Sequence, residues 1–158
     1  MTKSPPYASA SSSKARDEIS KMLQRFGCEQ VGIMDDYAKH EVILAFKHRG
    51  VAMQLHASAA GWAQMWLKEN PWTHRHRTSR VDHEQDALKQ GHIAVNSMLR
   101  DWVKAQVTTI ECGILSFEAC FTPFMLCTDG RTVLERLADT DLLPKAAAPK
   151  VVALPGRS

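Results

Sequence analysis

The sequence predicts an α+β fold: an N-terminal helix, a three-stranded antiparallel meander, a short Trp-containing helix, one long helix and a small C-terminal strand–turn–helix. Three observations carry that prediction. Apolar residues recur at helical spacing over 14–26 and 81–112, they alternate with polar ones over 30–57, and polar segments containing Gly, Asp or Pro separate these stretches. The 158 residues are 44% apolar and 23% charged, ordinary values for a globular chain, so wholesale disorder is excluded. The Ser, Ala and Pro of residues 1–12 predict a flexible arm and the Ala-rich 144–158 a disordered tail, leaving 13–143 as a single α+β domain.

Ile19, Met22, Leu23 and Phe26 form one apolar stripe, predicting a helix over Lys14–Phe26. Ser12 or Ser13 can cap its start, and Gly27 can end it in the left-handed conformation. Strands are predicted at Gln30–Met34, at His40–Lys47 with Val42, Leu44 and Phe46 on one face, and at Val51–Ala57 with Val51, Met53 and Leu55 on one face. Asp35–Lys39 and Lys47–Gly50 have hairpin-loop chemistry. Trp62 and Trp66 mark a helix over Ala59–Glu69, which Asn70-Pro71 terminates.

The long helix is predicted over Val81–Cys112, with a capping box from Ser79 and Asp82 and a stop at Gly113. At ~1.5 Å per residue it would extend about 45–48 Å, more than a domain of this size covers. Gly91 is therefore expected to bend or split it near His92; if it runs straight, the overhang asks for a second copy and a homodimer. Beyond it the sequence predicts a short turn of helix at Ser116–Phe121, a strand at Phe124–Cys127, a turn at Asp129-Gly130, and a last helix or extended arm over Thr132–Ala138.

The segment before the long helix carries the strongest local chemistry. Arg75, Arg77 and Arg80, with Lys68 just upstream, alternate with His74 and His76 beside Trp72. Guanidinium groups grip phosphates bidentately and an aromatic ring stacks on an unpaired base, so these residues form a candidate nucleic-acid site, extended by Arg100 and Lys104 if Lys89, Asn96, Arg100 and Lys104 make a polar stripe on the long helix. The competing reading is a solvated loop whose arginines pair with Asp82, Glu84 and Asp86. The net charge of +3 permits an anionic partner without requiring one.

Other chemistry is weaker. His74, His76 and His83 have no nearby cysteine pair and lack the four-ligand spacing of a zinc site, so no metal or other cofactor is expected. His40, His48 and His56 fall at a strand start, a turn and a strand end and are not expected to converge. Asp35-Asp36 is explained by turn formation. No nucleophile motif or Gly-rich phosphate loop occurs, and the expectation is a protein without catalytic residues. Trp62, Trp66 and Trp102 lie on apolar stripes and are expected in the core. Cys28, Cys112, Cys120 and Cys127 form no CxxC pair and are expected to be reduced and mostly buried. With neither an apolar leader nor a run of about 18 apolar residues, the chain is expected in the cytoplasm, with no membrane contact.

Several segments carry a resemblance. Lys104-Ala105-Gln106-Val107, Glu111-Cys112-Gly113-Ile114-Leu115-Ser116-Phe117-Glu118-Ala119-Cys120-Phe121 and Asp129-Gly130-Arg131-Thr132-Val133, with Pro6-Tyr7-Ala8 and Arg25-Phe26-Gly27 earlier, resemble a family of small uncharacterised proteins encoded by tailed bacteriophages and prophages. The resemblance implies a phage origin and the host cytoplasm, and it carries over no activity and no catalytic residue. Between Gly61 and His83 the sequence departs from the family pattern, so the basic loop looks like an elaboration of a shared scaffold. Two functions follow as expectations: a phage accessory protein contacting single-stranded nucleic acid in replication or recombination, or one that binds and modulates a host protein such as a defence or replication factor.

Overall fold

The computed structural model describes residues 11–146; the expected arm and tail fall largely outside that range. Helix α1 spans Ser13–Phe26 and buries Ala15, Ile19 and Leu23. Gly27, at φ 105°, ends it, and the amide of Cys28 donates back to the carbonyl of Leu23 at 2.9 Å. Strands β1 (Gln30–Asp36), β2 (Glu41–His48) and β3 (Val51–Ser58) form an antiparallel meander in the order β1-β2-β3. A two-residue turn, Arg49 (φ 49°) and Gly50 (φ 79°), joins the paired residues His48 and Val51. Two positive φ values in succession suit the right-handed twist of the flanking strands.

Register puts Val31, Ile33 and Asp35 of β1 opposite Phe46, Leu44 and Val42 of β2, and Leu44 and Phe46 opposite Leu55 and Met53 of β3. This face is the core side. Helices α1, α2 (Ala59–Glu69) and α3 (Arg80–Glu111) cover it, joining Ile19, Leu23, Trp62, Val95, Leu99 and Val103 to the strand residues in one cluster. Trp62 is buried, while Trp66 and Trp102 are half-buried against the cluster. The α+β expectation and its order of elements hold.

Four details differ from the sequence expectation. First, α3 is one helix of 32 residues, continuous through Gly91. A Cβ on Gly91 would lie 2.4 Å from the carbonyl oxygen of Ala59, so the glycine serves a close approach of α3 to the start of α2 rather than a bend. Buried positions run along α3 from His83 to Val107. Second, Ser79 accepts the amide of Asp82 at 3.1 Å and its hydroxyl donates to the Asp82 carboxylate at 2.8 Å, which is half of the expected box. The complete capping box belongs to Thr132 and Glu135, at the start of helix α5 (Val133–Ala138). Third, no strand forms at Phe124–Cys127. Helix α4 (Phe117–Phe121) runs into a 3₁₀ turn at Thr122–Phe124, after which Met125 makes an isolated bridge to Met53 and Leu126 one to Thr132. The proline at the turn and the short reach of 125–126 limit pairing with β3 to this contact. Fourth, only Cys28 and Cys120 are buried; Cys112 is exposed, Cys127 is half-exposed, and all four are free thiols.

Candidate nucleic-acid interface and the polar sites

The segment between α2 and α3 is tied down by its own side chains. The indole N–H of Trp72 donates to the carbonyl of Thr78 at 2.9 Å, closing the loop on itself. His76 Nδ1 accepts the Thr73 amide at 3.0 Å, and the His76 amide donates to the Thr73 carbonyl. His83, buried on the first turns of α3, donates from Nε2 to the carbonyl of Asn70 at 2.8 Å. Trp66, His83 and His76 continue this anchor as a chain of ring contacts at 5.1 and 4.9 Å. His74 and Trp72 meet edge to face, their ring centres 4.9 Å apart.

Arg75 and Arg77 project from this pinned loop, exposed and without an ion-pair partner among the described residues. Of the pairings that the solvated-loop reading requires, only Arg80 with Glu84 forms, at 3.2 Å on an exposed helix turn, where such a contact contributes at most about 0.5 kcal/mol. The loop itself holds Arg75 and Arg77 with no acid, but Arg80 opens α3 and Asp82, Glu84 and Asp86 follow at once on that helix. Its positive field is therefore local, and attraction of an anion would depend on contact more than on steering.

The structure gathers Lys68, exposed in the last turn of α2, together with Trp72, His74, Arg75, His76, Arg77 and Arg80 at one end of α3. It does not bring Arg100 and Lys104 to them: twenty residues of helix separate Arg80 from Arg100, about 30 Å along the axis. Nor does the polar stripe form, because Asn96 is fully buried. Arg100 instead reaches Glu18 at 3.5 Å and Asp101 at 3.1 Å in the groove between α1 and α3. His76 uses Nδ1 and His83 uses Nε2 in the bonds described, and among the described residues no group of three or more His, Cys, Asp and Glu is placed to hold a metal.

Sequence reasoning missed a second polar constellation. Asp36 does make the expected turn, accepting the amides of Ala38 and Lys39 at 3.0 Å each. Those bonds, led by the Lys39 amide, hold its carboxyl below the usual range. Asp35 belongs to β1 and points to the core side. One of its oxygens accepts Arg16 of α1 at 2.8 Å and the other accepts His92 Nδ1 of α3 at 3.0 Å. Asn96 closes the network, accepting Arg16 Nε at 2.9 Å and donating to the His92 carbonyl. Toward the Asp35 carboxylate His92 Nδ1 can only donate, and Nε2 is the ring nitrogen left over. That nitrogen is buried with no hydrogen-bond partner, as is His40 Nδ1 on a ring 5.8 Å away. The pair resembles an acid–base dyad, but neither of these two nitrogens bonds a hydroxyl or thiol among the described residues. Its evident work is to tie α1, β1 and α3 together.

The three strand histidines part company. His40 packs on His92, His48 stacks on Phe26 and meets Phe117 at a tilt, and His56 pairs with Glu41 at 2.8 Å. Cys28 Sγ lies 4.0 Å from His48 Nδ1, but burial, helped by the charge of Glu29, pushes its thiol up to about 11, the opposite of what a thiolate nucleophile needs. No helix among the described residues is long and apolar enough to cross a membrane. Comparison of the chain with family models, curated proteins and solved structures finds no match.

Proposed function

We propose that this chain is a non-enzymatic binding protein of phage origin, working in the host cytoplasm, that contacts single-stranded nucleic acid through the loop between α2 and α3. The observation that carries the reading is Arg75 and Arg77: two exposed, unpaired guanidinium groups on a loop held in shape by the Trp72–Thr78, Thr73–His76 and His83–Asn70 bonds. A preformed loop loses less conformational entropy on binding than a mobile one, and free guanidinium groups need break no existing pair to meet a phosphate. Fluorescence anisotropy with a labelled oligothymidylate tests it. Binding should weaken as salt rises, and replacing Arg75, Arg77 and Arg80 together by alanine should lower the log–log salt slope by about 0.7 per lost phosphate contact. Unchanged affinity and slope in the triple variant would remove the loop as the site.

A second reading is a contact with a host protein. It draws on Met65 and Val81, exposed apolar side chains (45% and 60%) on the two helices that the loop joins, and on the acids that follow the loop. Capture of one host protein that survives nuclease treatment, and is lost on replacing Met65 and Val81 by serine, would favour it over the first.

A further inference from the structure

A groove of about 610 Å³ runs between α1 and α3, away from the loop. Two cation pairs at helical i, i+4 spacing line it: Lys21 and Arg25 from α1, Arg100 and Lys104 from α3. Like charges at this spacing destabilise a helix, and the fold sets two such pairs on one groove. Three carboxylates share the lining, Glu18, Asp101 and Glu111. Glu18 and Asp101 are engaged with Arg100, which holds that guanidinium in place. Lys21, Arg25 and Lys104 have no ion-pair partner among the described residues, so three free cations face one further carboxylate, Glu111.

The floor is of a different character. Met22 is half-buried and Val107 buried, and both line the groove. Thr108, exposed, is also in the lining. An apolar floor under a cationic rim suits a ligand with a flat apolar part joined to a strong anion, and the volume lies in the range of small-molecule sites, roughly 300–1,000 Å³. Arginine and lysine both meet phosphate well, the first as a fork and the second as a point charge.

We infer that the α1–α3 groove binds a nucleotide, with Arg25, Lys21 and Lys104 on its phosphate and Met22 and Val107 beneath its base. The inference does not rest on the loop reading. The same chemistry is offered by a free nucleotide and by one unit of a single strand, and the experiment separates them.

The ¹⁵N-labelled full chain is titrated with AMP, adenosine, inorganic phosphate and a short oligothymidylate. AMP should shift the amides of Met22, Val107 and Thr108 saturably, while adenosine and phosphate alone bind at least tenfold more weakly. Replacing Arg25 and Lys104 by alanine should weaken AMP by roughly 10- to 100-fold, since each removes a charge-assisted contact. Both side chains are exposed, and an unchanged circular dichroism spectrum and Tm verify that the variant is folded. The Arg75→Ala, Arg77→Ala protein should bind AMP as the parent does, which separates this site from the loop. If the oligothymidylate saturates the same three amides and AMP does not, the groove takes a strand unit, and the inference stands with that source. It is overturned if neither AMP nor the oligothymidylate saturates those amides, if adenosine binds as well as AMP, or if the Arg25, Lys104 variant binds as the parent does.

Discussion

Replacing Gly91 by alanine should destabilise the fold, against the ordinary direction for a helix interior. In an exposed helix the change gains about 1 kcal/mol, because alanine is the better helix former. Here the new Cβ would sit 2.4 Å from the Ala59 carbonyl oxygen and 3.2 Å from the Ala59 carbonyl carbon, both backbone atoms. Relief to an ordinary contact of about 3.4 Å requires α2 and α3 to separate by about 1 Å at their crossing. The start of α2 is not free to yield, since the amides of Ala59 and Ala60 donate to the carbonyl of His40 at 2.9 and 3.3 Å. Overpacking of this kind costs about 1–3 kcal/mol, and strained hydrogen bonds add about 0.5–1.5 kcal/mol each. With both bonds strained and the propensity gain subtracted, the net loss is about 1–5 kcal/mol. For a chain of this size that lowers Tm by roughly 2–20 °C. Thermal and urea unfolding followed by circular dichroism measure it. Gly32→Ala is the control, because a Cβ there meets nothing within 4 Å. A Gly91→Ala protein as stable as the parent, or more so, would refute the close-approach argument.

Other substitutions probe the remaining structure. Asp35→Ala leaves Arg16 and His92 without their shared acceptor and should cost about 2–4 kcal/mol, seen as a lower urea midpoint with unchanged slope; a loss under about 0.5 kcal/mol would show the network to be incidental. Thiol labelling at pH 8 should modify exposed Cys112 first and Cys28 last, because a thiol pushed up to about 11 is ionised to only about one part in a thousand at that pH. Equal rates at the two, mapped by mass spectrometry, would contradict the burial of Cys28. Thr132→Ala removes the cap of α5 and should cost about 1 kcal/mol, with faster amide exchange confined to that helix and its flanks; unchanged exchange there would show the cap to be redundant.

Most of the architecture is written locally. The apolar stripe of α1, the alternation of Val42, Leu44 and Phe46, and the Asn70-Pro71 break each depend on neighbours within a few residues, and each lies where the sequence places it. One miss was avoidable. The alternation Val31, Ile33 continues to Asp35, which puts that carboxylate on the core side, but a pair of aspartates reads as a turn and only Asp36 is one. For Lys21 and Arg25 the sequence signal was i, i+4 spacing on the polar side of α1, and nothing local says that another helix lays two more cations opposite.

The sequence by itself determined the elements from α1 to α3, their order and the basic loop, because periodicity, caps and turn residues act through the local backbone. Only the tertiary structure decided what Gly91 is for, that Asp35 and His92 meet across 57 positions of chain, and that Arg100 and Lys104 face α1 and not the loop. Those outcomes depend on which helix faces pack together. Packing is set by the complementarity of whole surfaces, which no short window of residues contains.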